Sequence, residues 1–435
     1  MKVLFILHGW PPASIGGVEI YARRLAKEMS GKADVKAFCA ESDEARPQYE
    51  TRTVIDGDIE VTMVNYIPPP ETDFESTYRN GKMAEVFGTY LDDAGSPDIA
   101  HVHHLGGLGH DIVAALHDRG VPIILTFHDF AFTCPRGQRL LDDMRICEHL
   151  SKNRCVECLK PQCKGPGIGT AGKVFRHIFK KSEGRRLIGE FWKSSEAVAN
   201  RAAVITVPSE HHAKIVADDG FPKSKIKVMP YGYDIESFES VGRGEIGLAE
   251  KFGYIGSVIP SKGVHLILDA QKRLKKEYPD LDIEVHIHGP APAYHGNSDY
   301  EATLKEKARG LNTTFHGPFD PENIADILAG LDAVIVPSVW WESHGMVVRE
   351  ANMAGLPVIV SNHGAVAEPV EDGKNGLLFL PGNARSLRDK IYILATTAGL
   401  ADAISKNKMN VKSMKQDAAD HIELYEEILN HFSSS

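Results

Sequence analysis

Short apolar runs alternate with amphipathic stretches along most of the chain. Val, Ile and Leu fill these runs almost continuously, which is typical of parallel strands that are buried on both faces. The stretches between them have the spacing of helices that cover a sheet, so the pattern predicts an α/β fold class with doubly wound parallel sheets. The predicted strands are KVLFIL, DVKAFCA, DIAHVHHL, VPIILTF and AAVITVPS in the first half and EKFGYIGSV, DIEVHIHG, TTFHGPF, DAVIVPS and LPVIVSN in the second.

A segment rich in Pro, Gly and acidic residues, at 225–245, separates the two series of strands. Such a composition is typical of a domain boundary, and 435 residues are more than one hydrophobic core usually holds. We therefore predict two Rossmann-like domains, at 1–230 and 231–405. The remaining residues, 406–435, have an amphipathic pattern that predicts a helical segment, which could pack back on the N-terminal domain.

Composition and charge narrow the class of function. The chain is 43% hydrophobic and 25% charged, as in an ordinary globular protein, and 49 basic against 59 acidic side chains give a net charge of −10. This balance argues against a general nucleic-acid binder. The opening MKVLFIL predicts a first strand rather than a signal peptide, and no apolar run has the length of a membrane span. We expect a cytoplasmic protein.

Two carboxylates, Glu342 and Glu350, lie eight positions apart in VPSVWWESHGMVVRE. The pattern places Glu342 in the loop after a buried strand and Glu350 in the following helix, which Gly345 opens. The N–H groups of Met346 and Val347 could then bind an anion such as a phosphate. Each carboxylate could accept two hydroxyls, one pair from a ribose and one from a hexose. A surface charge and a helix salt bridge would give the same spacing.

Two further loops have the composition of phosphate-binding turns. Gly16 and Gly17 follow the first predicted strand and open a helix, where glycine lets backbone N–H groups approach a diphosphate closely. Ser257 follows a strand of the second half, and Lys262 precedes the next helix, where its charge could neutralise a phosphate. Glycine pairs also occur in such turns for steric reasons, and Lys262 would equally fit a solvated surface position.

These motifs resemble family 4 retaining glycosyltransferases, which have the GT-B architecture of two Rossmann-like domains facing each other across a cleft. The resemblance covers most of the chain. It rests on PPASIGGVE, TFHD, MPYGYDIESF, IPSKG and ESHGMVVREANMAGLPVIVS, of which the last is the most specific.

The resemblance implies a role for each matched residue. Glu342 would contact hydroxyls of the donor sugar, Glu350 the ribose and Lys262 the diphosphate. The loop of Gly16 and Gly17, on the N-terminal or acceptor side, would contact the phosphates from the opposite domain.

His128 in TFHD ends a strand, where the residue pattern alone also fits a structural histidine; by the resemblance it would lie by the transferred sugar. One position departs from the family pattern, because Ser257 stands where the family usually has arginine. Serine donates one neutral hydrogen bond where arginine donates a charged, bidentate one, so Lys262 would be the main side-chain cation at the diphosphate, or another basic residue would substitute.

We therefore predict His128, Glu342 and Lys262 as catalytic, and the donor-binding residues as Gly16, Gly17, Ser257, Gly345, Met346, Val347 and Glu350. No catalytic metal is expected, since the DGD triplet at 56–58 has the pattern of a turn that opens a strand rather than a metal motif.

Five of the six cysteines lie in a predicted insertion at 134–163. Thiolates of Cys134, Cys147, Cys155 and Cys158 could bind one structural zinc ion, and Cys163 could replace any of them. Disulfides and unbridged thiols are the alternatives.

Residues 160–193 carry nine Lys and Arg against two Glu, a local charge of +7. Apolar residues recur there with helical spacing, so the stretch 173–193 could contact an anionic membrane peripherally or hold a lipid-diphosphate acceptor. An ordinary surface helix that packs on its domain has the same pattern.

The sequence thus predicts a retaining glycosyltransferase. It would move a sugar from a nucleoside-diphosphate sugar to a hydroxyl of a saccharide or lipid-linked acceptor, in the synthesis of a cell-surface polysaccharide or glycolipid. One alternative is a nucleotide-sugar epimerase of similar fold, which would need a second acid/base group beside His128. Another is a non-catalytic nucleotide-sugar-binding subunit, because Ser257 stands where the family usually has arginine.

Overall fold

The computed structural model describes residues 1–69, 73–159, 181–239, 241, 244–294 and 298–433. Two units are distinguished by their internal contacts. Unit 1 consists of Met1–Gln138, His149–Gly232 and Lys412–Ser435, and unit 2 of Arg139–Glu148 and Tyr233–Val411.

Unit 1 is built on one sheet with helices between its strands. The strands are β1 (Lys2–Leu7), β2 (Asp34–Glu41), β3 (Thr51–Asp56), β4 (Ile59–Asn65), β5 (Ile99–Val102), β6 (Ile123–Thr126), β7 (Val204–Val207) and β8 (Ile226–Val228). The helices between them are α1 (Gly17–Met29), α2 (Gly81–Ala94), α3 (Asp111–His117), α4 (Lys152–Leu159), α5 (Lys181–Arg201) and α6 (Glu210–Asp218).

The strands of unit 1 follow the order β3-β4-β2-β1-β5-β6-β7-β8. Neighbours pair in parallel except β3 and β4, which are antiparallel and joined by the turn at 57–58. The direction of winding reverses between β1 and β5. In a doubly wound sheet, ligands bind at the carboxyl ends of the strands beside such a switch point.

Local sequence explains where these elements form. Residues 3–7 of β1 are all buried, because both faces of the sheet are covered. The side chain of Asn80 accepts the N–H of Met83 at 3.0 Å and so begins α2, and Ser209 accepts the N–H of His212 at 3.1 Å and begins α6.

Unit 2 repeats the plan with a second sheet. Its strands are β10 (Lys251–Ile255), β11 (Glu284–His288), β12 (Thr313–Gly317), β13 (Ala333–Val336), β14 (Val358–Ser361) and β15 (Leu377–Phe379). Its helices are α7 (Ile235–Glu239), α8 (Val264–Glu277), α9 (Tyr300–Lys307), α10 (Ile324–Ala329), α11 (Met346–Met353), α12 (Gly364–Ala367), α13 (Ala384–Thr396) and α14 (Leu400–Ser405).

The sheet of unit 2 has the order β12-β11-β10-β13-β14-β15 and is parallel throughout. Successive side chains of a strand point to opposite faces of the sheet and so pack into different hydrophobic clusters. On β13, Ile335 packs with Leu268 of α8 and Leu387 of α13, whereas Val334 packs with Val348 of α11. Both faces are therefore core, and the switch point lies between β10 and β13.

The chain ends in α15 (Met414–Ser433), which packs against α1 in unit 1. Asp417 of this helix is fully buried and accepts hydrogen bonds from the Tyr21 hydroxyl at 3.0 Å and the Gly232 N–H at 2.8 Å. The Lys412 ammonium group lies 2.7 Å from the same carboxylate. A short strand pair, β9 (Gly232–Tyr233) with β16 (Lys412–Ser413), adjoins it.

Part of the predicted membrane-facing stretch, 173–180, lies outside the described residues, and α5 is described from Lys181 onward. Over the ranges that the structure describes, no helix combines the length and the apolar character that a membrane span requires.

Candidate functional site

Lys262 and Glu342 meet at the switch point of unit 2. Lys262 ends the 3-10 turn Pro260–Lys262 after β10, and Glu342 lies in the loop between β13 and α11. The Nζ atom of Lys262 lies 2.7 Å from one carboxylate oxygen of Glu342 and 2.8 Å from the other. The lysine side chain is 26% exposed and the glutamate side chain 10%, so water screens the pair only partly.

Three neighbours keep Glu342 ionised. Burial raises the pKa of this carboxyl, but the charge of Lys262 and the hydrogen bonds from Lys262, Ser338 and Trp340 outweigh it, and the net shift is downward. The Ser338 hydroxyl donates to Glu342 at 2.5 Å, and the lysine Nζ lies 5.4 Å from the centroid of the Trp340 ring. Glu342 therefore carries a negative charge at neutral pH.

Helix α11 begins beside this pair. Gly345 precedes it with φ +74°, a left-handed backbone, and makes no side-chain cap. A Cβ on Gly345 would lie 2.5 Å from Cγ1 of Val366, so the close approach also requires glycine. Met346 and Val347 occupy the first turn, whose N–H groups have no partner within the helix and can bind an anion.

Glu350 and Ser257 occupy the places that the pattern predicts. Glu350 lies in α11 and is 4% exposed, and its neighbour Arg349 donates to the carbonyl of His344 at 2.8 Å. Ser257 follows β10, where its carbonyl accepts a hydrogen bond from Tyr254 at 2.7 Å. The loop and helix positions of the two glutamates are thus confirmed; their roles stay predictions.

In unit 1, Gly16 and Gly17 lie where α1 begins, next to a carboxylate. Glu19 Oε1 accepts the Ser14 hydroxyl at 2.6 Å and lies 3.1 Å from His8 Nε2. A Cβ on Gly16 would lie 2.7 Å from Glu19 Oε2. Burial raises the pKa of Glu19, but bonds and charge from His8 and the bond from Ser14 lower it to about 2. This loop therefore carries a negative charge.

His128 is buried in unit 1 with both ring nitrogens engaged. Its Nδ1 lies 2.5 Å from the Tyr231 hydroxyl and its Nε2 lies 2.9 Å from Nδ1 of His103. Burial is the main cause that lowers its pKa to about 3. The ring is therefore neutral, and a sugar hydroxyl would have to displace one of these two partners to reach a ring nitrogen.

The partners of His128 are residues that sequence reasoning missed. Tyr231 stacks on Tyr21 with ring centroids 4.0 Å apart, and Tyr21 donates to Asp417. Tyr231 lies 103 positions from His128 and Asp417 lies 396 from Tyr21, so no local spacing could link them. The only available signal was the position of His103 at the end of a strand.

For the residues described, the structure gives no support to the zinc site predicted from Cys134, Cys147, Cys155 and Cys158. Among the described residues, no group of three or more His, Cys, Asp or Glu side chains lies close enough to hold a metal ion. Cys147 belongs to the segment Arg139–Glu148 of unit 2, whereas the other three belong to unit 1. Cys163 lies outside the described residues.

Two doubly wound units, with a polar pair at a switch point beside a helix N-terminus, define a protein of the GT-B glycosyltransferase fold. Sucrose-phosphate synthase from Thermosynechococcus elongatus is similar, with a TM-score of 0.66 at 19% identity over 100% of both chains. Anabaena HepE in complex with UDP and glucose has a TM-score of 0.63 at 19% identity, again over 100% of both chains. The predicted fold class is confirmed.

The chain belongs to glycosyltransferase family 4. The family model described as Glycosyltransferase Family 4 matches residues 15–237, and the one described as Glycosyl transferases group 1 matches residues 244–411.

Curated relatives match part of the chain. A D-inositol 3-phosphate glycosyltransferase of Corynebacterium urealyticum is 31% identical over 42% of this chain and 46% of its own length. A lipopolysaccharide 1,2-N-acetylglucosaminetransferase of Salmonella typhimurium is 26% identical over 48% of this chain and 57% of its own. The chain thus spans about half the length of the curated relatives that it matches.

Proposed function

We propose that this protein is a retaining glycosyltransferase that moves a sugar from a nucleoside-diphosphate sugar to an acceptor hydroxyl. The bond between the anomeric carbon and the diphosphate oxygen breaks, a bond to the acceptor oxygen forms, and the acceptor proton is released. The observation that carries the proposal is the ion pair of Lys262 and Glu342 at the switch point of unit 2.

The pair is suited to a ligand that has an anionic and a hydroxylic part. A diphosphate would attract Lys262 away from Glu342, and both carboxylate oxygens would then accept hydroxyls of the transferred sugar. Positive charge from Lys262 and from the N-terminus of α11 would stabilise the departing diphosphate. The proposal therefore requires no catalytic metal.

The remaining donor contacts follow from their places in unit 2. Gly345 precedes α11, and the N–H groups of Met346 and Val347 in its first turn would bind the diphosphate. The buried carboxylate of Glu350 would accept hydrogen bonds from the ribose hydroxyls. Ser257 would add one neutral hydrogen bond.

For the residues of unit 1, the proposal keeps the roles that the family resemblance implies, with one condition. His128 would contact the transferred sugar if the sugar displaces Tyr231 or His103 from its ring. The loop of Gly16 and Gly17 would offer backbone N–H groups to phosphate beside the charge of Glu19.

The neighbours with bound ligands guide the choice of donor. Anabaena HepE was solved with UDP-glucose, and starch synthase IV of Arabidopsis thaliana with ADP and acarbose. Among the relatives, the names indicate a phosphorylated inositol and a lipopolysaccharide as acceptors. We infer an acceptor in polysaccharide or glycolipid synthesis, and a donor to be found among the UDP and ADP sugars.

A thermal-shift screen of the full chain against these nucleotides and their sugar conjugates tests the proposal. A ligand that binds only the folded protein raises the melting temperature. We expect one sugar nucleotide to give the largest rise, and Glu350→Gln to abolish it. Glu306→Gln, on a side chain that is 61% exposed in the same unit, is the matched control and should keep the rise.

Transfer is then assayed with the selected donor, and we expect Lys262→Ala to lower its rate about 100-fold or more. If no nucleotide changes the melting temperature, or if Glu350→Gln behaves as Glu306→Gln does, the proposed donor site is wrong. Binding without transfer to any acceptor would favour a non-catalytic subunit.

A further inference from the structure

The imidazole of His128 lies between two buried partners that are held unequally. Over the part of the chain that the structure describes, the side chain of His103 makes one hydrogen bond, to Nε2 of His128 at 2.9 Å, and its own Nε2 is buried without a partner. An unsatisfied buried nitrogen costs free energy, so His103 is the less favourably held of the two. The hydroxyl of Tyr231 lies 2.5 Å from Nδ1 of His128, on the other side of the ring. A ligand that competes for the imidazole would therefore displace His103.

The terminal helix α15 holds Tyr231 in place. The ring of Tyr231 stacks on that of Tyr21, with centroids 4.0 Å apart and 29° between the planes. The Tyr21 hydroxyl donates to Asp417 of α15 at 3.0 Å, and the N–H of Gly232 donates to the same carboxylate oxygen at 2.8 Å. Gly232 directly follows Tyr231 in the chain. One oxygen atom of Asp417 thus fixes both the ring that supports Tyr231 and the backbone that carries it.

The attachment to α15 is tight and charged. A Cβ on Gly232 would lie 2.7 Å from Cβ of Asp417 and from two backbone atoms of residues 413–414, so the backbones touch at this point. Burial raises the pKa of Asp417, but the hydrogen bonds and charges of His421 and Lys412 lower it overall, and the carboxylate is ionised at neutral pH. Hydrogen bonds to a charged acceptor are stronger than those to a neutral one. Asp417 is therefore a firm anchor for the two groups that it binds.

We propose that the terminal helix α15 positions His128 for sugar transfer. Asp417 holds Tyr231 on Nδ1 of the imidazole, by way of the Tyr21 ring. Nε2 is then the nitrogen that meets the transferred sugar, and His103 is the partner that the sugar replaces. The three supporting side chains act through the imidazole, so they are positioning residues and not catalytic ones. This inference rests on the proposed function, in which His128 contacts the transferred sugar.

The first test reads the proton on the imidazole. In the full chain with nitrogen-15 histidine, the ring shifts of His128 report which nitrogen carries the proton, and the signals are assigned by their loss in His128→Gln. A fixed partner on one nitrogen holds one tautomer. We expect a single tautomer in the unmodified protein. Tyr231→Phe keeps the ring stack but lacks the hydroxyl, and it should show a mixture of both tautomers.

The second test follows transfer to water, as release of UDP or ADP from the sugar nucleotide that gives the largest thermal shift. Tyr231→Phe frees the imidazole to turn, so it should lower kcat about tenfold and leave KM within about twofold. Tyr21→Phe removes the bond to Asp417 but keeps the stack, and it should lower kcat about threefold. In a His128→Gln background, Tyr231→Phe should have no further effect on kcat, because the two residues act as a unit.

Tyr49→Phe is the matched control for the loss of a tyrosine hydroxyl. The Tyr49 hydroxyl donates to Oδ1 of Asn80 at 3.1 Å, also in unit 1, and this bond is separate from the network of His128. The variant loses one hydrogen bond, as Tyr231→Phe does. It should keep both the tautomer of His128 and kcat.

A Tyr231→Phe variant that matches Tyr49→Phe in tautomer and in kcat would overturn the proposal and leave the proposed function standing. An equal loss of kcat from Tyr231→Phe with and without His128 would also overturn it, because the effect would then not pass through the imidazole. If no sugar nucleotide raises the melting temperature or is consumed, the proposed function fails. A change of tautomer in Tyr231→Phe would in that case still support the positioning of the imidazole.

Discussion

The ammonium group of Lys262 lies within 2.8 Å of both carboxylate oxygens of Glu342, so one cation occupies both acceptor atoms of the residue proposed to bind the transferred sugar. Each partner of the pair satisfies the charge of the other. A ligand therefore has to exchange this ion pair for its own contacts, and the pair contributes to stability as well as to binding.

Lys262→Met should destabilise the protein by about 2–4 kcal/mol, because it leaves a buried carboxylate without its counter-charge. The double variant Lys262→Met/Glu342→Gln should recover a large part of this loss, since the charge is then removed as well. Urea unfolding followed by tryptophan fluorescence measures both. Lys374→Met, on a side chain that is 57% exposed, is the control. A double variant no more stable than Lys262→Met would contradict the pairing.

Ser257→Arg should raise the affinity for a nucleoside diphosphate about 3- to 30-fold, because a charged, bidentate donor replaces a neutral hydroxyl. The gain should shrink at high salt, where charge is screened. Calorimetric titration with the nucleotide that the thermal-shift screen selects gives the affinity. Ser257→Gln supplies a comparable length without charge and should show little gain. An arginine variant that is folded but binds no better would indicate that Ser257 does not face the diphosphate.

Gly345→Ala should lower the free energy of unfolding by about 2–4 kcal/mol, since its methyl group meets Val366 and the backbone has a positive φ. Gly373→Ala is a control for the backbone alone, because φ is +80° there and nothing lies within 4 Å of the added carbon. It should cost about 1 kcal/mol. Urea unfolding measures both variants. If they lose the same free energy of unfolding, Val366 moves aside and the added methyl group at position 345 has no steric cost.

Acidification should destabilise unit 1 between pH 6.5 and about pH 3. Burial lowers the pKa of His128 to about 3 and those of His110 and His212 to about 4. The unfolded chain takes up these protons near pH 6.5 while the folded chain does not, so stability falls with falling pH. The melting temperature should drop across this range, and His128→Gln should make the slope shallower. An unchanged slope would show that this histidine takes up its proton in the folded state.

Local patterns predicted the fold class, and they also predicted that Glu342 lies in a loop and Glu350 in a helix. These predictions succeeded because each depends on short-range signals in the sequence. Near-continuous apolar runs follow from burial on two faces, as in residues 333–336, and Gly345 marks a helix start within a few residues of the loop. Such signals reach about one strand or one helical turn along the chain.

Contacts that depend on strand order could not be predicted in this way. The network from His128 through Tyr231 and Tyr21 to Asp417 joins parts of the sequence that only the completed sheet brings together. The cysteine spacing is also a local signal, but the zinc site that it predicts gains no support among the described residues, where no group of three or more metal-binding side chains meets.

The return of α15 to unit 1 has a consequence for the order of events during synthesis. All of unit 2 is translated before residue 412, whereas unit 1 still lacks the carboxylate that the Tyr21 hydroxyl and the Gly232 N–H require. Domains fold as their chain becomes available. Unit 1 is therefore completed only after unit 2, and a nascent chain exposes the face of α1 that α15 covers until α15 has been translated.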